Sequence, residues 1–441
     1  MKAVLFSDHL KETCRTNAKY FTRQRILTFP VVVVFLLNML TKSLQIELER
    51  FLAVLKGHAS SAVSVTQQAF GKARKKLSAE TFIHLDERLI DEFYTDNTYT
   101  TWKGYRLIGI DGSTVQLPMT KAIIKAFGGV TNQHGLVMAL AKISAAYDVE
   151  NGMTIHALID QYSSEERELA LQHLEAVCAF DLRTAGHRGH ARDLVLFDMG
   201  YPALYFMALM ILWEKDFVIR TSDAFLKEVQ EVIASGDDDV VIEIPIHTAE
   251  RPLPKKLTRR VPDIDPAMVI SIRVITVTLD NGTRETLLTT LCDQTAFPIS
   301  DFQGLYAKRW GSESNYDVLK NVLEIENFTG KSVLSVRQDF YATVLTNNIR
   351  GLLHWDLQEE VESENQSKGR TYQYQLNTNL SIGRLKDRLV TLLLDQGDLQ
   401  AFYEELKQQL KRTMTPIRPG RNFPRTRKNR QKYTMTKKRA L

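Results

Sequence analysis

Three carboxylates in this 441-residue chain stand where a sheet would gather them: Asp111, Asp198 and Glu313. Asp111 shares strand parity with Tyr105 and Leu107, and Asp198 shares it with Leu194 and Leu196. Each is therefore expected at the end of its strand, just ahead of Gly112 or Gly200. Ligands at strand termini of a mixed sheet converge on one edge, where a divalent-metal site can be assembled from distant sequence. Their hard oxygen donors suit Mg²⁺ or Mn²⁺. Asp-Gly alone is also a common turn signal, so the segment from Tyr306 to Lys320 decides the matter. At about 100° per residue, Tyr306, Arg309, Glu313 and Lys320 fall on one helical stripe only about 60° wide. Leu305, Tyr316, Leu319 and Leu323 form the neighbouring stripe, which packs the helix on the sheet. Glu313 would complete the metal site, with Arg309 and Lys320 left for phosphates. The plainer alternative is an exposed helix carrying an i,i+4 Arg-Glu pair.

The elements that must position these groups follow from periodicity. Residues 1–100 read as a helical domain, with apolar spacing through Leu36, Leu40, Leu44, Leu52 and Leu55. Within it Ser64 and Gln67 match a capping box that opens a helix with Ala69, Phe70, Ala73 and Leu77 inward. Its outer face would carry Lys72, Lys75 and Lys76, fit for DNA or simply solvated. Residues 101–220 contain a strand at Tyr105–Asp111, a hairpin of Lys142–Asp148 and Met153–Ile159 turning at Asn151-Gly152, and a helix from Ser164 to Phe180. A strand at Asp193–Asp198, a helix at Pro202–Glu214 and a strand at Asp216–Arg220 complete that part. Paired strands followed by alternation with helices indicate an α/β, mixed-sheet fold covered by helices. Residues 221–299 read as a β-rich insertion with a hairpin turn at Asn281-Gly282. A helix starting at a second capping box, Ser300 with Gln303, runs through Lys320 in a segment spanning 300–350. A helical C-terminal region, 351–410, and a basic tail, 411–441, follow.

Charge is lopsided. The tail from Lys411 carries twelve Lys or Arg and no acid, leaving 45 basic against 52 acidic residues in the remainder. Such a segment suits a polyanion, and nucleic acid, through counterion release, is the expected partner. Cys14, Cys178 and Cys292 are odd in number and without a CxxC pair, which argues against a disulfide framework or structural zinc and fits a reducing cytoplasm. His187 and His190, in a glycine-flanked loop, likewise lack further zinc ligands nearby. The apolar run Phe29–Leu40 is shorter than the roughly 20 residues of a membrane span. The first residues, with Asp8 and Glu12, do not resemble a cleavable signal, so no membrane association is expected.

The spacing Tyr306-x2-Arg309-x3-Glu313-x6-Lys320 resembles the YREK signature of the bacterial insertion-sequence family-four transposases, a branch of the DDE transposases. Asp111 within Ile110-Asp111-Gly112-Ser113-Thr114 and Asp198 within Asp198-Met199-Gly200-Tyr201 are similar to that family's two aspartate motifs. Met199, Gly311 and Ser312 depart from its usual residues. The resemblance implies a ribonuclease-H-like catalytic core interrupted by a β-rich insertion, with Asp111, Asp198 and Glu313 as catalytic and metal-binding residues. It also implies two Mg²⁺ ions, Mn²⁺ being an alternative, and Tyr306, Arg309 and Lys320 on the terminal phosphate. The expected partners are double-stranded DNA, both terminal inverted repeats and target, and a second copy of the chain in a synaptic homodimer. The expected location is the bacterial cytoplasm at the nucleoid. The implied reaction is hydrolysis at the transposon end, attack by the freed 3′-hydroxyl through a hairpin, and joining to target DNA. Competing readings are a recombinase with Tyr306 as covalent nucleophile, and a domesticated or inactive transposase that only binds DNA.

Overall fold

β1 (Tyr105–Gln116) is the centre of a sheet whose first members are antiparallel and whose middle is parallel. The computed structural model describes residues 1–23, 25–56, 65–96, 98–131, 133, 135, 137–184, 191–279, 282–386, 388–395 and 398–418. Ser64, the loop histidines 187 and 190, Asn281 and the tail beyond Arg418 lie outside them.

Among the described residues nine strands form one sheet. The others are β2 (Gly129–Thr131), β3 (Val137–Asp148), β4 (Met153–Gln161), β5 (Arg192–Phe197), β6 (Asp216–Thr221), β7 (Asp239–Pro245), β8 (Val269–Thr278) and β9 (Arg284–Thr289). The order is β2-β3-β1-β5-β6-β9-β8-β7, with β4 also paired to β3. β3 runs antiparallel to β1 and β4, whereas β5 is parallel to β1 and to β6. Buried on both faces, β1 and β5 read as continuous apolar runs for that reason. Ile108, Ile110, Val195 and Phe197 face helices Glu166–Thr184 and Leu204–Leu212. With opposite parity, Leu107, Leu194 and Leu196 face Phe302 and Leu305 of helix Ser300–Ala307. The sheet, with its antiparallel start, parallel middle and helices on both faces, is a mixed α/β arrangement, as expected.

Residues 221–299 do not form a separate β unit. β9 pairs with β6, and β8 and β7 follow, so the segment prolongs the central sheet. The backbone of β6 is thereby paired on both sides rather than exposed as an edge.

Helices Phe29–Leu37, Leu44–Lys56, Gln67–Arg74 and Glu80–Asp96 share one apolar core with the C-terminal helices, through Leu345, Leu353, Leu389 and Leu406. Helix Val333–Asp356, opened by a Ser332/Ser335 capping box, ties this body to the sheet through buried polar side chains. The Thr346 hydroxyl donates to the Leu37 carbonyl (3.1 Å), and the Gln338 amide donates to the carbonyls of Arg74 (3.0 Å) and Leu77 (2.7 Å). Asn348 donates to the Thr154 carbonyl (2.9 Å) and accepts from its N–H (2.8 Å). Polar groups at this depth are tolerated because each is satisfied.

Two helix starts differ from expectation. Ser300 and Gln303 form no capping box, since Ile299 occupies the cap position and makes no side-chain cap bond. Thr66 caps helix Gln67–Arg74 by accepting from the Ala69 N–H (3.2 Å), which leaves Ala69 exposed while Phe70, Ala73 and Leu77 are buried. Among the described residues no helix is long and apolar enough to cross a membrane.

Candidate active site

Parallel pairing of β1 and β5 ends at Gly109 and Leu196. Asp111 and Asp198 each lie two residues past that last pair, so the register carries them side by side. Asp198 follows the end of β5 as expected, but Asp111 does not end its strand. β1 continues to Gln116 because β3 keeps pairing with it as far as Gln116 and Leu140. Asp111 thus sits where the β5 side of β1 falls open, which makes it accessible without a strand terminus.

The segment expected as one helix is two, Ser300–Ala307 and Trp310–Asp317, followed by a π-helical turn at Val318–Val322. Around the junction the N–H groups of Lys308, Arg309, Gly311 and Ser312 bond carbonyls three residues back, a 3₁₀ tightening. Tightening and the wider π turn shift side-chain direction in opposite senses, which returns Lys320 to the face of Arg309 and Glu313. Gly109 lets this helix lie on β1: a Cβ there would fall 2.1 Å from the Ser312 Oγ. A Cβ at Gly311 would press on Val149 at 3.1 Å, so both glycines serve the contact of helix with sheet. Asn315, bonded to Asn347 (2.8 Å), anchors the helix from behind.

All four stripe residues turn toward the aspartate edge. The buried Tyr306 hydroxyl donates to the Phe197 carbonyl (3.2 Å) and lies 3.5 Å from Asp198 Oδ1. Arg309, 4% exposed, pairs with Glu313 (3.2 Å) and also feels the charge of Asp198. Lys320 donates to the Ser113 hydroxyl, two residues beyond Asp111 on the same strand face. Glu313 also lines an open groove with Trp310 and Asp317. Lys72 and Lys75 are exposed on the helical body, and Lys76 is half-buried with its ammonium 5.3 Å from the Tyr20 ring centroid.

Burial pushes the Asp111 carboxyl up to about 6, and the charges of Asp198 and Glu313 add to the rise against the Gly112 N–H and Arg309. The other two carboxylates therefore both lie within electrostatic reach of Asp111. Among the described residues, however, no three Asp, Glu, His or Cys side chains close on a single point as metal ligands would. Glu313 is instead paired with Arg309. The donor set of the three carboxylates is all oxygen and electronegative in sum, which matches a hard divalent cation.

Residues not expected from the sequence to serve the site lie against Asp111. Tyr316 donates to the Asp111 carbonyl (2.7 Å) from the stripe expected to be apolar, and Ser144 donates to the same oxygen (2.9 Å). Both fix the backbone that carries Asp111. Tyr201, two residues after Met199, is 2% exposed, and its hydroxyl has no hydrogen-bond partner among the described residues. The Asp-x-Gly-Tyr run was visible in the sequence, but the direction of the phenol was not.

Residues 102–349 match the family model described as transposase DDE domain, a family that works with divalent metal ions. The chain is 23% identical over 373 residues to the transposase InsG for insertion sequence element IS4 of Escherichia coli (strain K12), covering 83% of this chain and 77% of that protein. It is also similar to a piggyBac transposase solved as a synaptic complex with hairpin DNA, at a TM-score of 0.45 and 10% identity over 93% of this chain and 84% of the other. The chain belongs to the DDE transposases, enzymes that act on DNA.

Proposed function

We propose that Asp111, Asp198 and Glu313 form the catalytic centre, cutting transposon ends and joining them to target DNA. The observation that carries this reading is the register placing Asp111 beside Asp198, with Arg309 within electrostatic reach of both and Glu313 within reach of Asp111 and paired to Arg309. A DNA phosphodiester is shielded by its own charge, and two bound divalent ions, Mg²⁺ or Mn²⁺, would supply neutralisation and an activated oxygen nucleophile. Asp111, Asp198 and Glu313 would hold them. Arg309 balances Glu313 before cation and DNA arrive, and would then turn its guanidinium to a phosphate. Lys320 and Lys72, Lys75 and Lys76 would hold the DNA backbone. Water attacks the transposon end first. The freed 3′-hydroxyl then attacks the opposite strand to form a hairpin and, after reopening, the target. Joining two ends calls for a second copy of the chain, hence a homodimer in the synaptic complex.

Tyr306 fits a covalent nucleophile poorly. Its hydroxyl is buried on the Phe197 carbonyl, and burial holds its pKa well above the usual phenol range. It is better suited to hold the β5 terminus that carries Asp198.

Asp111→Ala should abolish Mg²⁺-dependent nicking of an inverted-repeat duplex while end binding persists in a gel-shift assay. Retained nicking refutes the assignment. Wild-type protein that binds ends but never nicks would favour the DNA-binding, inactive reading.

A further inference from the structure

Glu166 stands in the first turn of helix Glu166–Thr184, where the helix dipole favours a carboxylate. Its acidic neighbours are engaged elsewhere: Glu165, just before the helix, pairs with Lys256, and Glu168, on the same turn, with Arg260. Glu166 instead turns to the strand ends. A Cβ at Gly112 would lie 3.5 Å from the Glu166 Cγ, and one at Gly200 would lie 3.7 Å from its Oε2. Gly112 follows Asp111 and Gly200 lies two residues after Asp198, so the Glu166 carboxylate sits between the backbones that carry the two aspartates. The absence of side chains at both positions leaves its path open. Lys142 of β3 holds it at 3.2 Å.

An independent observation points into the same space. The Tyr201 hydroxyl, nine-tenths buried and unpartnered, is acted on by the charges of Asp111, Glu166 and Asp198 together. A buried hydroxyl aimed at three carboxylates, with no partner among them, is suited to a group held between them.

We propose that Glu166 is a fourth carboxylate of the catalytic pocket, giving a divalent cation an oxygen ligand from the helix side of the sheet, with Lys142 as its counter-ion when no cation is bound. The inference rests on the proposed catalytic centre. With only three carboxylates for two ions, most of each coordination shell falls to water and phosphate oxygens, and Glu166 adds a protein ligand without a further element of the fold. Lys142 then competes with the cation for Glu166, so the ammonium is a built-in brake on cation binding.

Mn²⁺ binding to the full chain, without DNA, tests this by calorimetry and by the electron paramagnetic resonance signal of free Mn²⁺. Glu166→Gln should weaken binding by about tenfold or more, whereas Glu168→Gln, the same charge change two residues along, should leave it within about twofold. Lys142→Met should tighten binding in the wild-type background and have no effect once Glu166 is glutamine. Wild-type affinity in Glu166→Gln, an equal loss in Glu168→Gln, or a Lys142 effect that survives Glu166→Gln would each overturn the inference. Asp111→Asn separates the two levels: lost binding there with normal binding in Glu166→Gln sinks only the Glu166 ligand. Normal Mn²⁺ binding in Asp111→Asn sinks the catalytic centre as well.

Discussion

The same two strands carry acidic clusters at both ends, and the two are built on opposite principles. At the start of β1 and β5, Arg106 and Lys215 meet Asp193 and Asp181: Arg106 lies 2.6 Å from Asp193 and 2.8 Å from Asp181, and Lys215 lies 2.8 Å from Asp193 and also pairs with Asp181. Five residues further along each strand, about 16 Å away, Asp111 and Asp198 meet Glu313 and Glu166. Charge is matched in the first cluster, where burial would raise the Asp193 carboxyl but Arg106 and Lys215 outweigh it and hold it below its ordinary value. Acid is in excess in the second, and Asp111 rises to about 6. A matched buried cluster staples strands together. An unmatched one at an opening is a site waiting for positive charge.

The largest effect that would separate the two ends is on turnover. Asp198→Asn should lower nicking by at least about a thousandfold, roughly 4 kcal/mol in the barrier, with end binding and thermal stability near wild type. Asp193→Ala should do the reverse. Leaving Arg106 and Lys215 buried with Asp181 but without the more deeply buried of their two shared carboxylates should cost about 3–5 kcal/mol of stability in denaturant titration, while the protein that remains folded still nicks.

pH sharpens the contrast further. The Asp111 carboxyl is raised from 3.8 to about 6, so its contribution to stability is complete below about pH 4 and is lost as pH rises through 6. The loss should be on the order of 2 kcal/mol after allowance for partial exposure. Metal-free Asp111→Asn should lack this step and exceed wild type in stability at pH 8. Nicking should run the other way, rising as Asp111 ionises. Asp193, already ionised through this window, should contribute nothing to either profile.

The smallest effect concerns the seat of the Glu313 helix. Gly109→Val would push on Ser312 and Val149. About 1–3 kcal/mol of overpacking should appear as a stability loss, accompanied by a fall in nicking greater than the loss of folded protein explains.

The aspartates were legible because strands buried on both faces leave unbroken apolar runs, so a carboxylate closing such a run stands out. The stripe from Tyr306 to Lys320 was legible from regular helix spacing, although the break after Ala307 and the π turn at Val318–Val322 were not. What escaped depends on pairing between distant segments. Asp111 lies inside β1 because β3 extends the strand past the end of β5. The 221–299 strands join the central sheet because β6 needs a partner, and no pattern within the segment encodes that. The first hundred residues share their core with helices 300 residues away, a packing that periodicity does not register. Ser300 fails as a cap because Ile299 already has helical dihedrals and takes the cap position. Glu166 was unremarkable as one of several first-turn acids until the sheet placed it beside Gly112 and Gly200.

Anomalous diffraction from crystals grown with Mn²⁺ and a transposon-end duplex is the most direct test of the central claim. The expected result is manganese between Asp111 and Asp198, two ions about 4 Å apart, with Glu313 turned from Arg309 to complete the ligand set. Manganese elsewhere, or Glu313 more than about 12 Å from both aspartates in that complex, would contradict it.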